Sequence, residues 1–268
     1  MSAFEAFLIL LAGFWAGGIN TIVGSGTLVT FPVLVSLGIP PVTATISNAM
    51  GLIAGNLTGA WSYRTKLAGV ERTLLKLLPC SLAGGLLGAW LLLHLPEGVF
   101  ESIAPLLIMV ALGFVILQSK LQEIIRRRRE REAGDHDPAG PGQQAGEASR
   151  QPMMLYVLVF FAAVYGGYFV AAQGVLLLGI LGVFLLAPLQ SANAVKTILV
   201  AAVNIIAAVS YLIFALERID WLIVLLIALS STAGAWCGAK VGMRLQPAVL
   251  RGVIVLLGLV AIITMVWP

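Results

Sequence analysis

The sequence predicts an all-α polytopic membrane protein that is built from two inverted repeats. Of its 268 residues, 60% are hydrophobic and 10% are charged, whereas a soluble domain carries about 25% charged residues. The apolar residues form runs, most of which reach the roughly 20 residues that one membrane-spanning helix needs. Two shorter runs lie at equivalent places in the two halves of the chain. Composition, run length and this internal similarity together predict the fold.

The apolar runs define the predicted helices. They cover residues 3–23, 27–38, 42–63, 74–93, 99–119, 153–172, 175–187, 190–216, 221–239 and 248–267. The first run lacks a basic leader segment and exceeds the length of a signal peptide, so we expect a membrane helix there. Runs 27–38 and 175–187 are too short to cross straight, and each follows a glycine-containing break, Gly24-Ser25-Gly26 or Gln173-Gly174. We therefore expect a broken or re-entrant helix pair plus three transmembrane helices in each half.

The two halves of the chain resemble each other when one is shifted by 148 residues. The shift aligns Gly18 with Gly166, Gly26 with Gly174, Pro40 with Pro188, Asn56 with Asn204 and Ser62-Tyr63 with Ser210-Tyr211. Internal symmetry of this kind is typical of secondary transporters. The sequence predicts one transmembrane repeat over 1–120, a second over 152–268, and a charged, Gly/Pro-rich linker, 121–151, between them.

Basic residues orient the two copies, because cytoplasmic loops carry an excess of Lys and Arg. The linker contains Arg126 to Arg129, and loop 64–73 contains Arg64, Lys66 and Arg72, so both are expected in the cytoplasm. In the second copy Lys240 and Arg244 mark an inside loop, which leaves 216–220 outside. Loops 64–73 and 216–220 are equivalent in the repeat but fall on opposite sides. The sequence therefore predicts inverted copies.

The two breaks are the first candidate site. Inverted-repeat transporters bind substrate between broken helices, whose N-terminal N–H groups suit anions. Polar residues flank the breaks in an otherwise apolar chain: Asn20, Ser25, Gly26 and Thr27 in the first copy, and Gln173 and Gly174 in the second. Glycine also allows close helix packing without any ligand, which is the alternative interpretation of each single position.

A polar stripe on the helix after each break is the second candidate. At 100° per residue, one face of the second-copy helix carries Asn193, Thr197, Asn204 and Tyr211. The first copy has Thr45, Asn56 and Tyr63 at the same phase. Such a stripe either joins helices by hydrogen bonds or lines a pathway, and the pattern alone leaves both open.

Lys196 is the single charged residue between positions 151 and 216. A lysine within the membrane costs about 2.5–3.5 kcal/mol on insertion scales, so a compensating group is expected. Its ammonium either reaches the cytoplasmic headgroups along its flexible stem or pairs with an anion. All 12 acidic residues lie in loops, the linker or the ends of segments, which leaves a substrate anion as the natural partner. The equivalent position in the first copy is Asn48, so we expect an asymmetric site.

Other functional classes fit the sequence less well. His94 and His136, the two histidines, lie at a helix end and in the linker, where neither can activate Ser25 as a nucleophile. The shortage of acids in the apolar runs disfavours carboxylate-held metals and proton relays. The net charge of +4 is spread over short loops, so we expect no nucleic-acid partner. Cys80 and Cys237 lie in apolar runs and are expected to be buried thiols. The sequence predicts no catalytic residue, cofactor or metal.

The two half-chain motifs resemble the sulfite exporter TauE/SafE family. The first copy reads GGINTIVGSGTLVTFPVL followed by TISNAM, and the second reads VYGGYFVAAQGVLLLGIL followed by SANAVKTILVAAVN. The resemblance covers both copies outside the linker. It implies a multi-pass permease of the bacterial inner membrane that exports a small sulfur-containing anion such as sulfite or an organosulfonate like sulfoacetate.

Three further readings stay open from the sequence. An anion channel shares the same site but predicts flux that does not saturate. Uptake of a related small oxyanion needs a coupling ion, because the inside-negative potential opposes anion entry. A receptor or assembly role has little surface available in such short loops. The sequence is also compatible with a homo-oligomer in the bilayer.

Overall fold

The computed structural model describes residues 1–134, 152–185 and 187–241, together with positions 252, 255, 256 and 259. These residues form α-helices joined by short turns, and no strand occurs among them. The helices are α1 Ala3–Ile22, α2 Thr27–Ser36, α3 Pro41–Ser62, α4 Glu71–His94, α5 Glu97–Gly134, α6 Met153–Phe169, α7 Gln173–Phe184, α8 Leu189–Phe214 and α9 Trp221–Val241. The predicted run 248–267 lies almost wholly outside the described residues.

Local sequence signals start these helices. Ser2 and Glu5 form a reciprocal capping box at α1. The Asp220 carboxylate accepts hydrogen bonds from the N–H groups of Leu222 and Ile223 at the start of α9. Three other helices, α3, α6 and α8, each begin directly after a proline, Pro40, Pro152 and Pro188 respectively. These prolines are the N-cap residues, whose N–H groups have no partner within the helix, so a residue that lacks an N–H loses no hydrogen bond there.

Both predicted breaks are present. Between α1 and α2, Gly24 has φ +92°, a backbone conformation that glycine adopts without strain. The N–H groups of Val23 and Gly24 both donate to the Ile19 carbonyl, which closes the end of α1. Between α6 and α7, Val170 and Ala172 have φ +67° and +56° although neither is glycine. The chain therefore stops and restarts a helix twice, and Gln173 and Gly174 lie in the first turn of α7.

Five described helices are long and apolar enough to cross a membrane. They are Ala3–Ile22, Glu71–His94, Glu97–Leu117, Gln190–Phe214 and Trp221–Lys240, and three shorter apolar helices accompany them, Thr27–Ser36, Met153–Phe169 and Gln173–Phe184. Helix α3 has comparable length but is more polar, because its buried face carries Thr45, Ser47, Asn48 and Asn56. The protein is an all-α polytopic membrane protein.

Helix α5 extends further than the sequence predicts. The apolar run ends at 119, and a linker was expected from 121, yet the helix continues to Gly134. Residues 121–134 are rich in Glu and Arg, which have high helix propensity and tolerate water on all sides. The change from apolar to charged residues near position 120 therefore does not coincide with the end of the helix. The rest of the predicted linker, 135–151, lies outside the described residues.

Glycine seams join helices of the two predicted copies. Along α1, Gly13 lies against Ser230 and Gly18 lies against Gly234 and Gly238 of α9, so these two helices run parallel. Along α4, Gly84 lies against Ala163 and Gly88 lies against Gly167 of α6, so this pair is parallel as well. Small residues let helix backbones approach closely in membranes. The first helix of each predicted copy thus packs against the fourth helix of the other.

Two loops lie at opposite ends of α4. This helix has 24 residues and is therefore about 36 Å long at 1.5 Å per residue. Loop 64–70 immediately precedes its start. Just past its end, Glu97 pairs with Arg218 at 3.4 Å, which fixes loop 216–220 at that end. The repeat-related loops 64–73 and 216–220 are consequently separated by the whole length of the helix.

Candidate functional site

The two helix breaks meet through their backbones. A Cβ atom added at Gly174 would lie 2.6 Å from the Cα atom of Gly24, and one added at Gly24 would lie 2.7 Å from the Cα atom of Gly174. No side chain larger than hydrogen fits at either position without displacing the other backbone. The structure therefore brings together two segments that are 150 residues apart in the sequence, and the remaining site residues surround this contact.

Asn20 links the end of α1 to α2 and α3. Its side-chain oxygen accepts a hydrogen bond of 3.3 Å from the N–H of Gly26, the residue that precedes α2. Its side-chain nitrogen donates to the side-chain oxygen of Asn56 on α3. Asn20 is half-buried, and its amide satisfies one of the N–H groups that a helix start leaves unpaired. An anion that used this N–H would have to displace the Asn20 amide.

Lys196 is buried against the end of α1. The side chain is 1% exposed, so it does not extend to solvent as the headgroup alternative requires. Its ammonium donates to the backbone carbonyl of Asn20 at 3.3 Å, and the Asn193 amide donates to the next carbonyl, that of Thr21, at 3.4 Å. Carbonyls in the last turn of a helix lack intrahelical partners and carry partial negative charge. The Lys196 ammonium has three N–H donors, and the described part of the chain offers a hydrogen-bond acceptor to one of them.

Several buried polar atoms near the breaks have no hydrogen-bond partner among the described residues. They are the Ser25 hydroxyl, the Asn56 side-chain nitrogen, the Asn193 side-chain oxygen and both amide atoms of Gln173. The Tyr168 hydroxyl on α6 and both amide atoms of Asn204 on α8 are likewise unpartnered among the described residues. An unsatisfied buried polar group costs about 1–3 kcal/mol, so native proteins rarely retain one without a reason. The concentration of such atoms around one contact indicates a place that accommodates a polar ligand or water.

A second cluster of buried polar side chains lies between α2 and α3, and its members hydrogen-bond one another. The Asn48 amide donates to the Thr27 hydroxyl at 3.2 Å and accepts from the Thr30 hydroxyl. All three side chains are buried. Asn48 occupies the position equivalent to Lys196, but its hydrogen bonds stay between α2 and α3. The hydrogen bonds of Asn48 therefore differ from that of Lys196, which reaches across to α1.

The polar stripe on α8 divides into different roles. Thr197 donates to the Asn193 carbonyl of its own helix at 2.8 Å. Tyr211 donates to the Gly167 carbonyl of α6 at 3.3 Å, which is an interhelical hydrogen bond. Asn204 is buried with an unpartnered amide, eight residues beyond Lys196. One end of the stripe therefore joins helices, while the other end, at Asn193, belongs to the site.

Gln173 opens α7 and lies close to the contact between the breaks. Its side chain folds back onto α6, where a Cβ atom at Gly166 would lie 2.1 Å from the Gln173 amide carbon. Gly166 is therefore needed to make room for this side chain. Gln173 and Ser25 are equivalent in the repeat, and both are buried with unpartnered polar atoms.

Sequence reasoning missed the backbone groups of the site. The carbonyls of Asn20 and Thr21 hold Lys196 and Asn193, but a carbonyl carries no sequence signal. Its only hint is the break itself, since a helix that ends inside a protein leaves four carbonyls unpaired. Within the described residues, no group of three His, Cys, Asp or Glu side chains is placed to hold a metal ion.

The chain has helices long enough to cross a membrane, and they enclose polar residues where the two helix breaks touch. These features define the class of polytopic helical membrane proteins with a buried polar site. Within that class, this chain belongs to the sulfite exporter TauE/SafE family, whose model matches residues 9–265. No solved structure matches the chain.

Curated relatives match about half of the chain. It is 28% identical over 122 residues to a "Probable membrane transporter protein" of Haemophilus influenzae, covering 46% of this chain and 48% of that protein. It is 36% identical over 110 residues to "Probable membrane transporter protein ORF9" of a Sinorhizobium species, covering 41% and 42%. It is 29% identical over 124 residues to "Probable membrane transporter protein YfcA" of Escherichia coli K12, covering 46% and 44%. The matched regions span less than half the length of these relatives.

Proposed function

We propose that this protein is a permease that exports a small sulfur-containing anion, sulfite or an organosulfonate such as sulfoacetate, across the bacterial inner membrane. The observation that carries the proposal is Lys196, a buried cation beside the contact between the two breaks. In the sequence, residues 6–63 contain no charged side chain and residues 152–216 contain Lys196 alone. The ammonium therefore has no carboxylate partner on the helices that surround it, and a bound anion supplies that charge.

Neutral donors complete an anion site around Lys196. The side-chain nitrogen of Asn56 and the hydroxyl of Ser25 are buried and unpartnered among the described residues. Both can donate a hydrogen bond to a sulfonate or sulfite oxygen. A charged hydrogen bond from Lys196 contributes about 1.5–3 kcal/mol, and the amide and hydroxyl donors position the remaining oxygens.

The packing of the two copies supports an inverted repeat and hence alternating access. In each of the two seams, α1–α9 and α4–α6, the first helix of one predicted copy packs against the fourth helix of the other. Loops 64–73 and 216–220, which the repeat equates, lie at opposite ends of α4. A twofold axis in the membrane plane produces both relations, and such folds open their central site to each side in turn. The linker 121–151 then lies in the cytoplasm.

Export is the direction that the membrane potential favours. Moving one negative charge outward gains about 2.3 kcal/mol per 100 mV when the inside is negative. A carrier that exports an anion therefore needs no coupling ion, in keeping with the lack of acidic residues in 6–63 and 152–216. Uptake of a related oxyanion, the second candidate, would need such coupling.

Flux through the purified protein in liposomes tests the proposal. We expect sulfite, sulfoacetate or isethionate to be transported with a rate that saturates, whereas taurine, which has no net charge, is not. A rate that rises linearly with concentration would identify a channel instead. Absence of flux and of binding for every anion would contradict the proposal.

Substitution of Lys196 tests the site directly. We expect Lys196→Met, which keeps most of the stem volume, and Lys196→Ala to weaken binding of the best anion by about ten- to a hundred-fold. Titration of the purified variants measures the affinity. Lys76→Ala is the matched control, since it removes one exposed positive charge outside the site. Unchanged affinity in both Lys196 variants would remove this residue from the site.

A further inference from the structure

We propose that the site selects singly charged anions over doubly charged ones. This inference rests on the proposed function and narrows its substrates by charge: it favours singly protonated sulfite and singly charged organosulfonates over sulfoacetate, which carries two charges. The reason is that, among the residues the structure describes, the site contains one fixed positive charge, Lys196, and otherwise neutral hydrogen-bonding groups. An organosulfonate with one charge, or sulfite in its singly protonated form, is neutralised there, whereas a dianion keeps one charge without a partner.

The helices around the site supply one charged residue. The site residues come from α1, α2, α3, α7 and α8, which lie within residues 3–62 and 173–214. Apart from Glu5 at the far start of α1, Lys196 is the single Asp, Glu, Lys or Arg in these segments of the sequence. Any charge on a ligand is therefore balanced against one ammonium group.

Helix ends at the first break do not add a second positive charge. The N-terminal end of α2 is positive, but the C-terminal end of α1 lies beside it and is negative. The structure shows both ends engaged, since the Gly26 N–H donates to the Asn20 side chain and Lys196 donates to the Asn20 carbonyl. The two partial charges oppose each other, so the net fixed charge remains that of Lys196.

Burial makes the second charge of a dianion expensive. Lys196 and Ser25 are each 1% exposed and Asn56 is 4% exposed, so water cannot surround a ligand held between them. A buried charge that lacks a counter-charge is strongly unfavourable, even where neutral groups donate hydrogen bonds to it. Singly charged anions avoid this penalty.

Matched pairs of anions test the inference. Methanesulfonate and sulfate have similar tetrahedral size but differ by one charge, and isethionate and sulfoacetate form a second such pair. We expect the full-length purified protein, titrated at constant ionic strength, to bind the singly charged member of each pair at least about ten-fold more tightly. That ratio corresponds to 1.4 kcal/mol.

A second cation should reverse the preference. Asn193 lies one turn before Lys196, and its amide donates to the neighbouring carbonyl of α1. In Asn193→Lys a second ammonium replaces that amide, so we expect the ratio to shift by about ten-fold toward sulfate and sulfoacetate. Asn193→Gln is the matched control, because it keeps a neutral amide and should leave the ratio in favour of the singly charged anions.

The outcomes separate this inference from the proposed function. Tighter binding of methanesulfonate and isethionate, reversed in Asn193→Lys, supports it. Equal or tighter binding of the dianions by the unaltered protein overturns it while leaving an anion permease in place. Failure of every probe to bind a folded protein overturns both. If Asn193→Lys does not fold, the two matched pairs on the unaltered protein decide alone.

Discussion

At the scale of single residues, the second break contains two non-glycine residues with positive φ, a backbone conformation that their side chains disfavour. Ala172 occupies the position equivalent to Gly24, and both residues have positive φ, +56° and +92°. A left-handed backbone costs an L-residue roughly 1–2 kcal/mol, whereas glycine adopts it freely. Val170, which is β-branched, has positive φ as well. Such strain persists where the surrounding structure enforces it and is typical of functional segments.

Glycine at position 172 should relieve part of that strain. We compare Ala172→Gly with Ala171→Gly, because each substitution removes one fully buried methyl group. Only Ala172 has positive φ, so we expect Ala172→Gly to be the more stable variant by about 1 kcal/mol or more. Thermal unfolding in detergent measures the difference. Equal stability of the two variants would show that the break carries no strain at this residue.

At the scale of elements, the contact between the two breaks fixes how four helices meet. Gly24 lies between α1 and α2, Gly174 lies in the first turn of α7, and their backbones touch. Ser25 and Gln173, two buried side chains of the candidate site, are adjacent to these glycines. The position of the donors therefore depends on a backbone contact rather than on side-chain packing.

A methyl group at this contact should separate the breaks. In Gly174→Ala the new Cβ atom would lie 2.6 Å from a backbone atom that cannot rotate away. We expect a destabilisation of about 1–3 kcal/mol, as for other overpacked sites, and loss of the thermal stabilisation by the best anion. Gly113→Ala in α5 is the control, since nothing lies within 4 Å of its Cβ position. Anion stabilisation that survives in Gly174→Ala would show that the contact does not shape the site.

The sequence predicts the elements better than it predicts the contacts of the site. The short runs 27–38 and 175–187 correspond to α2, Thr27–Ser36, and α7, Gln173–Phe184, because glycine breaks and apolar length are local properties. Helix α5 continues past the apolar run 99–119 to Gly134, since polar residues with high helix propensity can extend a helix beyond its apolar part. The partners of Lys196 could not be predicted, because they are carbonyl groups that tertiary packing brings from α1.

At the scale of the whole molecule, the two halves of the described chain pack between each other rather than side by side. Helix α1 packs along α9, and α4 packs along α6. The Glu97–Arg218 ion pair adds a link between the copies at one end. Neither half encloses the candidate site alone, because Lys196 comes from the second half of the chain and its acceptor, the Asn20 carbonyl, comes from the first.

Accessibility of introduced cysteines tests the inverted arrangement. In a variant without Cys80 and Cys237, we expect Lys66→Cys to be labelled from the cytoplasmic side and Arg218→Cys from the outer side. The reason is that these positions lie at opposite ends of α4. Glu97→Cys is the internal control, since its ion pair requires it to be labelled from the same side as position 218. Labelling of positions 66 and 218 from one side would contradict inversion.

The contact between Gly24 and Gly174 also constrains biogenesis. The ribosome must add 150 residues after Gly24 before Gly174 exists, which takes roughly 8–30 s at about 5–20 residues per second. During this time the first break has no partner, and hydrocarbon does not hydrogen-bond its free backbone groups. The carbonyls of Asn20 and Thr21 therefore stay without these partners until Lys196 and Asn193 of the second half have been made.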